Sequence, residues 1–375
     1  MKALITVLIT TLFSVTILTG QNKLSISSEH EKIVHQTLDS IYNLKFDEAH
    51  QLISLLENEL GDYPGLYLLK SYYMFWKHLP IKENSPVYLE FIEMLNKTIS
   101  TSKALPGKME NNPEALFYSI SAHAILTRLH VDNGYNFKAL NEATKGYKHL
   151  KKGFELKDQY ADLNLFCGIY NYYREKYPEE NPVFRPFVVF FRSGDKLEGL
   201  EMLKTGYKNG VYTQPECLAY LYFIYLRYEF LPDQALPYAQ KLNELYPHNT
   251  FYTSLLIENL IFSKNFSQVD SLLYYLESKG EINYQYLGSI YRGLYEELHT
   301  MKENEALNAY LRALSIENHN DITNPHHASL LYLGLGRTYL TLNNDLKAKE
   351  FLKKSARISE YGFVRDEAKR LLNEM

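Results

Sequence analysis

Apolar residues recur along this chain at i, i+4 and i+7, the spacing of one face of an α-helix. The pattern is clearest in residues 215–276, which read as two helical hairpins in succession. In the first, Ala235, Ala239 and Leu242 line the second helix ahead of a stop at Tyr246-Pro247. In the second, Val269, Leu273 and Leu276 repeat the spacing ahead of Gly280, and Ala235 and Val269 lie 34 residues apart. A unit of that length with a small or apolar seam predicts an all-α protein, a right-handed α-α superhelix built from stacked hairpins.

The same seams organise the rest of the chain. Ile33, Leu38, Ile41 and Tyr42 line a first helix, and Ala49, Ile53 and Leu56 the second, which ends at Asp62-Tyr63-Pro64 because a residue before proline is pushed out of the helical region. An apolar helix over 65–79 carries the only tryptophan, Trp76. Ser85 as N-cap and Pro86 at the first helical position predict a further helix to about Ser102. Residues 21–103 therefore form an N-terminal set of repeats, separated by a loop over 104–113 from a longer set over 113–375. In that set Pro113 opens a helix through Val131, and Asn133-Gly134 breaks it. A second helix over 137–156 follows, with Ala143, Tyr147 and Leu150 as its seam.

A proline-aromatic insert over 177–193 then interrupts the stack, with Phe187-Val188-Val189-Phe190-Phe191 as its apolar run. It reads either as a short helix plugging the wall or as a hydrophobic contact, through Phe187, Phe190 and Phe191, with a partner or the cell envelope. Gly199, Leu203 and Gly206 restore the seam. Pro237 stands about a turn inside its expected helix, predicting a late start or a kink. The unit after it spaces Tyr291 and Ala306 widely, predicting an extended helix or a longer turn. A last amphipathic helix over 361–375 caps the stack.

Composition sharpens this picture in three places. Tyrosine accounts for 33 of 375 residues, which suits stacked helices because the ring packs while the hydroxyl reaches water. A net charge of −4 with dispersed lysines argues against a nucleic-acid surface. Residues 1–20, with Lys2 ahead of an apolar run, read as a secretory signal peptide, so the protein is expected to be exported to a periplasm or cell envelope. Cys167 and Cys217 each lie in an apolar run and are expected to be buried separately, a disulfide being the alternative.

The sequence Leu335-Gly336-Arg337-Thr338-Tyr339, followed nine residues later by Ala348, resembles the tetratricopeptide-repeat family. The likeness extends loosely over most of the chain. Gly168-Ile169-Tyr170-Asn171, the insert, and Gly194-Asp195-Lys196-Leu197-Glu198-Gly199-Leu200 are similar to the inclusion-body-clearance family of tetratricopeptide proteins. The general resemblance implies a solenoid that binds a protein or peptide on its concave face.

Catalytic motifs are missing. His326-His327 is the only adjacent histidine pair, without metal-ligand spacing, and is expected at a helix start or in solvent. Glu179-Glu180 and Glu296-Glu297 read as solvated faces, while Gly334 and Gly336 read as sites of close packing. No enzyme activity, metal or cofactor is expected. Register places Tyr220, Arg227, Tyr228, Glu258, Gln285, Arg292 and Arg337 on the concave wall. Three arginines there either hold the carboxylates of an acidic or C-terminal peptide or pair with acidic neighbours on adjacent helices. The expected function is an exported scaffold for protein-protein interaction; the alternative is a carbohydrate-binding helical-repeat protein of an outer-membrane uptake system.

Overall fold

A computed structural model describes residues 24–180, 182–320 and 324–375, giving only the backbone for Phe184, Phe187 and Val188. The expected signal peptide and the Phe187 side chain lie outside the described residues. The described chain is helical, without a strand, and none of its helices is long and apolar enough to cross a membrane.

Helices follow one another as antiparallel pairs. In order they are α1 (Ser28–Tyr42) with α2 (Phe46–Leu60), α3 (Pro64–His78) with α4 (Tyr88–Ser102), and α5 (Pro113–Asp132) with α6 (Asn136–Leu156). Next, α7 (Leu163–Glu180) is joined through the four-residue α8 (Arg185–Val188) to its partner α9 (Lys196–Asn209). Then α10 (Gln214–Phe223) pairs with α11 (Pro232–Leu245), α12 (Thr250–Phe262) with α13 (Val269–Glu277), α14 (Ile282–Tyr295) with α15 (Glu303–His319), and α16 (Pro325–Thr341) with α17 (Asp345–Ile358). The last helix described, α18 (Gly362–Glu374), packs on α17. First helices also pack on one another, α1 on α3, α3 on α5, α12 on α14, α14 on α16 and α16 on α18.

One turn recurs between the helices of a pair. Leu44, Phe230, Lys264, Met301 and Asn343 have left-handed backbone, with φ between 49° and 57°, and Gly134 does so at 77°. Each stands five residues before a buried seam residue: Ala49, Ala235, Val269, Ala306, Ala348 and, after Gly134, Ala139. The turn closes when the residue after the left-handed one donates its N–H back to the first helix, as Lys45 does to Ser40 at 2.9 Å and Asn344 to Tyr339 at 2.8 Å. Where a π turn extends the first helix, over Ile224–Tyr228 and Glu296–Thr300, the closure spans one residue more. Leu231 reaches Tyr225 at 2.7 Å and Lys302 reaches Glu296 at 3.1 Å. The second extension supplies one residue of the wide spacing of Tyr291 and Ala306; the rest arises because Tyr291 stands ten residues before the left-handed Met301, whereas Tyr339 stands four before Asn343.

Several expectations are corrected by these turns. Ala143 is exposed and the α6 seam is Ala139, Leu150, Gly153 and Phe154, because the turn at Gly134 sets the register. Helix α4 starts at Tyr88, since Ser85 and Pro86 form a turn closed by the Tyr88 N–H on the Ser85 carbonyl at 3.1 Å. Helix α7 runs through Pro178, and α11 begins at Pro232 and runs through Pro237 without a late start. As expected, Cys167 and Cys217 are buried separately as free thiols. Across the loop before α5, Phe91, Met94 and Leu95 of α4 pack with Ala122, Leu126 and Leu129 of α5.

The first and the last described helices fold against the middle of the chain. Tyr42 meets Tyr246 with ring centroids 5.5 Å apart, and Trp76 meets Tyr252 at 5.7 Å. Asn249 donates to the Tyr42 carbonyl at 2.9 Å. From the other end, Phe363 stacks on Phe230 at 4.3 Å and Arg365 pairs with Glu180 at 2.8 Å. Much of the tyrosine is therefore interior: Tyr42, Tyr118, Tyr160, Tyr172, Tyr212, Tyr222, Tyr286, Tyr291 and Tyr310 are fully buried.

Close helix approach depends on glycine at a few positions. A Cβ added to Gly168 would lie 2.8 Å from the Gly199 carbonyl oxygen, and one on Gly334 would lie 2.3 Å from the Tyr310 ring. Gly334→Ala is expected to destabilise the fold by about 1–3 kcal/mol, read from a urea melt. Gly280→Ala, with nothing within 4 Å of the added carbon, serves as the control. Matching melts for the two variants would show that Tyr310 yields without cost.

Candidate functional site

Helix α12 is apolar almost throughout and nearly all buried, yet it carries Glu258 with no solvent exposure. An isolated buried carboxylate is so costly that its partners must be supplied by the fold. Arg227, in the π turn after α10, donates Nη2–H to Oε2 at 2.7 Å. Tyr222 of α10 donates to the same oxygen at 3.0 Å, and Tyr291 of α14 approaches it at 3.4 Å. His326, at the start of α16, meets Oε1 through Nε2 at 2.6 Å. Tyr361, just before α18, packs edge-on against His326 with centroids 5.0 Å apart. One carboxylate thus draws a side chain from each neighbouring unit in the second half of the chain.

The charge state follows from these contacts. Burial pushes the Glu258 carboxyl upward, but Arg227 and His326 outweigh it and hold the group well below its ordinary range. Burial, with Arg227 adding to it, lowers His326, and burial with His326 and Arg227 lowers His327 further. At neutral pH Glu258 is an anion, Arg227 its counter-charge, and both imidazoles are neutral. An ionised carboxylate only accepts, so His326 carries its proton on Nε2. Its Nδ1, like Nε of Arg227, is buried without a hydrogen-bond partner.

Glu258, His326 and His327 each offer one donor atom, all within 4.8 Å of one another. A divalent cation there would have to share Glu258 with the Arg227 guanidinium already on Oε2. The electrostatics therefore favour the ion pair over a metal. The histidine pair begins a helix, as expected, but is buried rather than solvated. What the sequence reading missed was the demand made by a lone Glu inside Leu255-Leu256-Ile257-Glu258-Asn259-Leu260-Ile261, which calls for a buried cation and donors.

Of the expected groove residues, Arg227, Tyr228 and Glu258 come together. Tyr228 packs on Tyr361 and Tyr173, with centroids 5.0 and 5.1 Å away, and Tyr220 joins through Tyr173 at 6.4 Å. The others stand apart. Arg292 forks onto Glu277 at 3.1 and 3.3 Å and reaches Asp270 at 2.5 Å. Arg337 forks onto Glu297 at 2.5 and 3.0 Å, so Glu297 is a paired, partly buried group rather than a solvated face. Gln285 turns its amide to the Gly280 carbonyl at 3.4 Å. All three arginines therefore pair with acidic neighbours. No family model matches this chain, and no curated protein matches it.

A second buried carboxyl joins the chain's beginning to its middle. Glu216 accepts from the Tyr42 hydroxyl on Oε1, while Oε2 is enclosed without a partner. Burial pushes this carboxyl up to about 8, so it is neutral at pH 7.

Two outcomes are expected. Glu258→Ala should cost about 3–5 kcal/mol by leaving Arg227 buried and unpaired, whereas Arg227→Met with Glu258→Leu should restore most of that stability. A double variant no more stable than the single one in urea would contradict this. For Glu216 the folded value lies above the unfolded one, so the native state retains a proton that the unfolded chain releases between about pH 4.5 and 8, and stability falls across that window. Glu216→Gln should flatten the fall, raising Tm at pH 8.5 and leaving it unchanged near pH 4.5. Parallel Tm profiles would contradict the assignment.

Proposed function

We propose that this chain is a tetratricopeptide-like, right-handed α-α solenoid that acts outside the cytoplasm as a scaffold, holding a protein or peptide segment against its row of first helices. The apolar run at residues 3–18 supports export. The recurrent turn, with a small seam residue five positions later, supports the repeat architecture.

The observation that carries the reading is the way the chain treats its own C-terminal segment. Ser359 and Tyr361 are extended and α18 follows. Tyr361 lies over Tyr228 and His326, Phe363 stacks on Phe230 with an interplanar angle of 9°, and Arg365 pairs with Glu180. Aromatic anchors at alternate positions followed by a forked cation are a common way to seat a peptide. Fourteen of the 33 tyrosines are buried and so withdrawn from any sugar-stacking surface, which favours the protein-binding reading over the carbohydrate one.

A labelled peptide of residues 356–369 provides the test. It should bind the full chain carrying Tyr361→Ser and Phe363→Ser at least about tenfold more tightly than the parent, whose own segment competes. Absence of binding to the folded variant in fluorescence anisotropy would remove this face as a peptide receptor.

A further inference from the structure

Residues 182–194 contain seven Val and Phe residues, two arginines and no acidic residue. The structure pins the segment at its base. Phe191 packs edge-on against Tyr147 of α6 at 5.3 Å, the Tyr147 hydroxyl accepts from the Arg192 N–H at 3.1 Å, and the Arg192 guanidinium lies 4.3 Å from the Phe154 ring centroid. Tyr170 donates to the Arg192 carbonyl at 2.5 Å, and Arg185 Nε donates to the Pro178 carbonyl at 3.2 Å. Beyond that base Val183, Val189 and Phe190 point into solvent, 72%, 69% and 85% exposed. Exposing several large apolar groups on one short pinned segment costs solubility unless something covers them.

Charge identifies the cover. Helix α6, against which the segment is pinned, carries five lysines and two glutamates, in a chain whose net charge is −4. Lys148 and Lys151 are exposed, without a carboxylate within 4 Å among the described residues, and Lys151 lies 5.7 Å from the Tyr147 ring that holds Phe191. Arg185 and Arg192 add exposed charge within the segment itself, whereas Lys196 is neutralised by Glu179 at 2.9 Å. Apolar tips flanked by arginines, beside a lysine-bearing helix, match an anionic lipid surface. Val and Phe side chains enter the interfacial region while Arg and Lys stems extend to the headgroups.

We propose that residues 182–192 dock this protein peripherally on an anionic bilayer, with Val183, Val189 and Phe190 inserted and Arg185, Arg192, Lys148 and Lys151 at the headgroups. The inserted side chains and the lysines at the headgroups lie outside the first helices, on the α7–α9 connection and on α6, so membrane contact leaves the row of first helices free for the proposed scaffold role.

The test is co-sedimentation of the full chain with phosphatidylcholine vesicles containing about 30 mol% phosphatidylglycerol, against phosphatidylcholine alone. The parent should partition at least about tenfold more strongly to the anionic vesicles, and should lose that preference as salt rises from about 0.1 to 1 M and screening shortens from about 10 to 3 Å. Val189→Ser with Phe190→Ser should weaken binding at least about tenfold, and Lys148→Glu with Lys151→Glu should abolish the lipid preference. Unchanged urea melts for these surface variants would establish that they fold. Equal partition to both vesicles, binding untouched by either pair of substitutions, or no vesicle binding at all would overturn the proposal; the last result would assign the segment to a protein contact.

Discussion

The structure rests on a steric constraint repeated along the chain: two helices of a pair can cross closely only where the second offers a small or compact residue, and the turn before it fixes where that residue falls. A left-handed residue at one position and a buried Ala or Val five positions on are two halves of one device. The turn reverses the chain in a fixed number of residues, and the seam lets the helix axes approach, so the larger side chains on either side interdigitate. The glycine contacts between α7 and α9 extend the same logic to direct backbone approach.

This device was legible where spacing left a single seam. Ala235, Val269 and Ala348 were read correctly from spacing; Ala239, one turn after Ala235 on the same face, is buried as well, so both belong to one seam. In α6 both Ala139 and Ala143 satisfy helical periodicity, and only the turn at Gly134 decides between them. Elsewhere the left-handed position is held by Leu, Phe, Lys, Met or Asn, so no glycine marked it. The π turns add only one residue each to the closure, too little to stand out in the spacing of the seams.

The Glu258 cluster was legible in part. Register placed Arg227, Tyr228 and Glu258 on a common wall, because that follows from local helix geometry. It could not supply His326 or Tyr361, which are 68 and 103 positions further along the chain and come to the site through the packing of α12 on α14, α14 on α16 and α16 on α18. Packing between helices likewise buries tyrosines that were expected to reach water. The hydroxyls of Tyr63, Tyr118 and Tyr212 then satisfy one another and Glu114 instead of water.

Attachment of both chain ends to residues 214–262 also changes how such a stack comes apart. In an open array each unit touches only its neighbours, so the ends fray first and melting spreads inward unit by unit. Here the terminal hairpin and the final helix are each held by the central pairs as well as by the units beside them. Fraying at either end must break contacts far away in sequence, which couples the units into a more nearly all-or-none transition. Unfolding of the central pairs would loosen the first hairpins and the final helix at the same time.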